Sequence, residues 1–180
     1  MLYKKYAKDG NVAVVEIDES NGEVSDIQVT HNITNTNMGT LDSPNLNADA
    51  YPILSGQRSF AKYQRFHITD LGGSTSVRGL KVWRTGALGG SAEHKTNART
   101  SDYAGATDYA EPSASEVSVA SQDMPTTEPD SANLGIGGSL DGVFDANDTY
   151  SDYLIHQLVI GDSDVGGSTS TMNYQYDELA

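Results

Sequence analysis

Aspartates are the residues of this chain best spaced to do chemistry. "GDSDVGG" sets Asp162 and Asp164 two apart ahead of a glycine pair. Alternating carboxylates in a tight turn can supply several of the about six to eight oxygens that calcium takes. "DGVFDANDTYSD" adds Asp141, Asp145, Asn147, Asp148 and Asp152 a short distance upstream. The EF-hand pattern is not met, because its glycine and closing glutamate are misplaced, and aspartates in turns commonly cap their own backbone. Asp162 and Asp164 stand as calcium candidates; no other metal and no cofactor is expected. The four histidines, His31, His67, His94 and His156, fall in no H-x-x-x-H spacing, so a histidine metal centre would need the fold to gather them.

Catalytic arrangements are not written in the chain. There is no cysteine, which removes thiolate nucleophiles, thiolate metal sites and disulfides together. No G-x-S-x-G elbow appears, and the serines sit in polar stretches without a histidine beside them. The glycines of "LGIGG" precede no helix that could cradle a phosphate. With 25 acidic residues, some carboxylate pair suits glycoside hydrolysis by chance alone. The expectation is no enzyme. Tyr63, Tyr103, Tyr109, Tyr150, Tyr153, Tyr174, Tyr176 and Trp83 could instead stack on sugar rings or fill a subunit interface.

Charge narrows the partners. Eleven Lys and Arg against a net charge of −14 leave little to neutralise phosphates, so nucleic acid is not an expected partner. No run approaches the ~20 apolar residues of a membrane helix. "MLYKKYAKDG" follows its lysines with no apolar stretch and does not read as a secretory leader. The chain is expected to be soluble.

The elements that must position these residues are strands. "NVAVVEID" is rich in Val and Ile and is followed by Asn21-Gly22, a tight-turn pair. "SDIQVTHNIT" alternates with period two, as a half-buried strand does. Residues 35–50 read as loop. "RSFAKYQRFHITDLGGSTSVRGLKVWRTG" reads as two strands joined by a Gly-Gly turn. On the first, Phe60, Lys62, Gln64, Phe66 and Ile68 share one face and Ala61, Tyr63, Arg65, His67 and Thr69 the other. On the return strand Leu80 and Val82 alternate with Lys81 and Trp83. Residues 86–132 turn to Ala, Ser, Thr, Gly, Asp and Pro, with a short strand expected at Val117 and Val119. A loop of that length is unusual inside a domain. "SDYLIHQLVI" is apolar on both faces and reads as a central strand, and "TMNYQYDEL" closes the chain. No segment carries sustained helical periodicity.

About seven or eight short strands without helix point to an all-β antiparallel β-sandwich, jelly-roll-like, with an immunoglobulin-like arrangement as the alternative. One domain over residues 1–180 is expected, with residues 1–10 as an N-terminal arm and 86–132 as a long Ser/Thr/Gly/Asp-rich loop excursion.

The order of these pieces resembles virion structural proteins of tailed phages. The likeness rests on Ser59, Phe60, Lys62, Tyr63 and Thr69 in the first strand, and on Leu80, Lys81, Val82 and Trp83 in the second. It continues in the ending, with Gln157 inside an Asp-Tyr strand and a closing Tyr176-Asp177-Glu178. Residues 86–132 have no counterpart in it. The resemblance implies a β-sandwich component of the virion, foremost a capsid decoration or cement protein. Such a protein binds the major capsid protein or other virion proteins, is a homo-oligomer, with a trimer favoured, and is assembled in the host cytoplasm. The N-terminal arm would add a strand to a neighbour. Phe60, Phe66, Ile68, Leu80 and Val82 would build the core, while Tyr63, Arg65 and Trp83 would meet a second sheet or a partner. The alternative is a carbohydrate-binding or receptor-binding module of a phage tail or neck, with the tyrosines and Trp83 as its stacking platform.

Overall fold

Where apolar and polar residues alternate along this chain, the backbone is extended and hydrogen-bonded to a neighbour. A computed structural model describes residues 2–6, 12–20, 23–31, 33, 36–41, 43, 46–99, 120–132, 142–162 and 169–180. Among them all regular structure is strand: β1 (Leu2–Tyr6), β2 (Val12–Ser20), β3 (Glu23–His31), β4 (Lys62–Ile68), β5 (Ser76–Thr85), β6 (Glu93–Arg99), β7 (Gln122–Asp123), β8 (Thr149–Tyr150), β9 (Tyr153–Val159) and β10 (Thr171–Leu179). No helix of the described residues is long and apolar enough to cross a membrane.

The strands form two antiparallel sheets, ordered β1-β10-β5 and β3-β2-β4-β9-β6-β7, with β8 pairing β4. This is the expected all-β sandwich. β2 and β3 pair antiparallel, closing at Ser20 and Glu23; Asn21 and Gly22 lie outside the described residues. β9 is central, between β4 and β6, as its two apolar faces require. The main core lies between the sheets: Val12, Phe66, Ile68 and Leu154 of the larger meet Val77, Leu80, Val82 and Tyr176 of the smaller. Ala61, Tyr63, Ala120, Tyr153 and Ile155 make a second cluster on the outer face of the larger sheet.

Four expectations need correction or placing. The two strands of residues 58–86 are not a hairpin, because β4 and β5 belong to different sheets. Their connection folds on itself, with Gly72 N donating to Asp70 Oδ1 and Ser74 N to Leu71 O, while Leu71 packs against the core. That route carries the chain from one layer to the other. Residues 86–132 are not wholly loop: β6 pairs with β9 along seven residues, from Glu93↔Val159 to Arg99↔Tyr153, and β7 pairs with β6. The N-terminal strand adds to its own chain, Leu2↔Leu179 through Tyr6↔Gln175, so Leu2–Tyr6 is not a free arm. The strand expected at Val117 and Val119 lies outside the described residues.

One irregularity sets which residues of β5 reach the core. Gln175 faces Lys81 but Asp177 faces Arg78, so β5 places one extra residue in the ladder. Gly79 sits there at φ 65, a backbone conformation costly for residues with a Cβ. The bulge resets the alternation, and Val77 and Leu80 both join the core although three positions separate them.

Candidate functional site

Two polar clusters stand on the strands at the centre of the larger sheet, one on each face. The first is internal. Strand pairing sets Lys62 and Thr96 directly across from His156 on either side, and residues so paired share a face. Leu154, two positions from His156, belongs to the core between the sheets, so this line points inward. His94, two residues along β6 from Thr96, joins it: its Nε2 lies 3.0 Å from His156 Nδ1, the rings tilted at 53°. Lys62 Nζ donates to Ser43 O at 3.1 Å. Gln64 donates to Thr36 Oγ1 at 2.8 Å and accepts from the Tyr174 hydroxyl.

Burial decides the charge state of the histidines. It lowers His94 from the ordinary 6.5 to about 4, with the nearby Arg84 guanidinium adding to the effect. Burial also pushes His156 well below its ordinary value, followed by repulsion from His94. Both rings are therefore neutral at pH 7, one donating and the other accepting. His156 Nε2 and Thr96 Oγ1 are buried and have no partner among the described residues. The neighbouring cleft, walled by Val14, Phe66, Leu154 and Tyr174, is too narrow for a water molecule.

On the outer face, His67 stacks flat on Tyr150, ring centroids 4.2 Å apart, because the two are paired across β4 and β8. Its Nε2 lies 2.8 Å from Asp148 Oδ1. The Asp148 side chain is 80% exposed, so water screens the pair and it is worth at most about 1 kcal/mol. Arg65 lies over Tyr150 at 4.0 Å and Tyr153 at 5.1 Å, and Tyr153 meets Tyr63 edge-on. Ser151, next to Tyr150 in the chain, is tied to the backbone. Ser151 Oγ accepts from Phe66 N and donates to Asp152 O, both at 2.9 Å.

The expected site residues scatter. Asp162 is exposed at the end of β9, and Asp164 lies outside the described residues. Asn147 Oδ1 accepts from Leu71 N and Asp70 Oδ1 from Gly72 N, so these oxygens tie down a loop. Among the described residues no three His, Asp or Glu gather as metal ligands. The aromatic platform is largely interior: Trp83 is 5% exposed, Tyr63 1% and Tyr176 0%. Tyr150 and Tyr174 are half-buried, and Tyr103 and Tyr109 lie outside the described residues. Trp83, Tyr63 and Tyr176 therefore have no ring face to offer a sugar.

Sequence reasoning missed the pairing of His94 with His156. The only signal was the alternation of His94 and Thr96 with charged Glu93 and Lys95 in "EHKTNAR". No family model, curated protein or solved structure matches the chain.

Proposed function

We propose that the protein is a structural component of a tailed-phage virion, a capsid decoration protein that binds the assembled head through the major capsid protein. One observation carries this reading. Most of the residues on which the phage resemblance rests are buried: Ser59, Lys62, Tyr63, Leu80, Lys81, Val82, Trp83, Gln157, Tyr176 and Glu178. The likeness is one of scaffold. Ser59 shows how: its Oγ accepts from Leu158 N at 3.0 Å and donates to Phe60 O at 2.8 Å. Its own N donates to Leu158 O, so it fixes the entry of the chain into β4 against the end of β9. A cement protein acts by binding the assembled shell in preference to its parts, which requires a rigid body and surface contacts.

The sugar-binding reading needs exposed rings, and Trp83, its best candidate, is buried. A single experiment separates the two. Purified protein is sedimented with phage heads through a sucrose cushion, and its tryptophan fluorescence is titrated with glycans. Saturable co-sedimentation with unchanged fluorescence is expected. Protein that stays in the supernatant while a glycan shifts the Trp83 emission would overturn the proposal in favour of the sugar binder.

A further inference from the structure

Arg65 is a cation for which the fold provides aromatic rings and no acid. It stands half-buried on the outer face of β4. Its guanidinium carbon lies 4.0 Å from the centre of the Tyr150 ring and 5.1 Å from that of Tyr153. Among the described residues Lys81 has Glu128, and Lys95 has Glu93 and Asp123, while Arg65 has no carboxylate within ion-pair distance. The acid of its own cluster, Asp148, is taken by His67 Nε2 at 2.8 Å. In a chain with 25 acids to 11 Lys and Arg, an arginine left without one is a departure.

The donors of Arg65 are disposed unevenly. Nε is buried with no hydrogen-bond partner, whereas neither Nη atom is closed off in that way. No group among the described residues accepts from the Nη atoms, so the outer N–H edge of the guanidinium faces solvent. Stacking on two rings restrains the plane of the group and strips part of its water. An arginine held like this loses less freedom when a ligand arrives.

The surroundings select the ligand. His67 lies flat on Tyr150 at 4.2 Å, and Arg65 covers the same ring. Tyr153 is 5% exposed and meets Tyr63 edge-on. The rings are therefore occupied, and a sugar has no face to stack on. What stays open is the guanidinium edge, whose parallel N–H bonds match the two oxygens of a carboxylate. A phosphate dianion would meet this one cation with the Asp148 side chain, 80% exposed, close by. A carboxylate balances the single charge.

We propose that Arg65 is the receiving residue of a docking site for an acidic protein partner, one Asp or Glu side chain of which enters its guanidinium fork. Tyr150 and Tyr153 position the fork and do not touch the ligand. The inference stands apart from the virion reading, since it names the chemistry of a contact that a short peptide can supply.

Nuclear magnetic resonance of the full chain, titrated with a capped Gly-Glu-Gly peptide, tests it. The Arg65 Nε–H resonance and the Tyr150 and Tyr153 amides should shift saturably with this peptide and stay in place with Gly-Gln-Gly. Arg65→Lys keeps the charge but loses the fork, and should weaken binding, read at the Tyr150 and Tyr153 amides, about tenfold. Arg78→Gln, which removes an exposed charge from the other sheet, should bind like the parent. Unchanged urea midpoints for the variants separate lost docking from lost folding. No shift with the Glu peptide, equal shifts with the Gln peptide, or an Arg65→Lys variant that binds like the parent would overturn the inference. Galacturonic acid or inorganic phosphate binding more tightly than the Glu peptide would overturn the choice of a protein partner.

Discussion

At the scale of single residues, several polar side chains are buried on the central strands, Lys62, Gln64, Thr96, His94 and His156 among them. The neutral His94–His156 pair gives stability a pH dependence of definite sign. His94 binds its proton less readily in the folded state than in the unfolded one. The unfolded chain therefore takes up protons first as pH falls, and the pair's contribution is intact above about pH 6.5 and lost towards about pH 4. For His94 alone the full loss is about 3 kcal/mol, and His156 acts in the same direction. Denaturant midpoints at pH 7 and pH 4.5 should show a smaller drop for the His94→Gln/His156→Gln variant than for the parent. An equal drop would mean that carboxylates set the acid sensitivity. Trp83, 5% exposed, should cost about 3–5 kcal/mol when cut to alanine, read as a lower urea midpoint, with no glycan-dependent change to lose. The sequence could mark both residues as notable but not as buried, because histidine and tryptophan suit a wet face and a dry one equally.

At the scale of elements, the apolar strands were legible and the connections were not. β9 was readable as central because Leu154 and Ile155 are apolar on opposite faces. β6 was not, because its interior positions are His94 and Thr96, which give no hydrophobic period. The residues between β4 and β5 contain Gly72-Gly73, a turn signal that serves a hairpin and a crossing between sheets alike. The placing of β4 and β5 in different sheets and the packing of Leu71 against the core distinguish them. The bulge in β5 makes a sharper claim. A Cβ on Gly79 would lie 2.8 Å from Asp177 Oδ2 at φ +65, so Gly79→Ala combines backbone strain with a forced shift of that carboxylate. A loss of about 1–3 kcal/mol is expected in equilibrium unfolding. A neutral substitution would show that the Lys81-to-Arg78 offset of the ladder does not rest on glycine.

At the scale of the whole molecule, acids outnumber bases, 25 to 11, and the net charge of −14 sets copies of the chain to repel one another. The calcium reading of Asp162 and Asp164 has a direct check: with an ion bound there, chelator lowers the unfolding temperature, and an unchanged temperature would contradict it. The sequence made the two-layer architecture readable through its alternating strands, while the pairing of β1 with β10, at opposite ends of the chain, follows only from contacts across long distances in the chain. Association with a virion is the central claim, and immunogold electron microscopy of the particle fraction from the source culture tests it most directly. Gold over the icosahedral shell is the expected result. Particles without gold, with the antigen left in the soluble fraction, would contradict it.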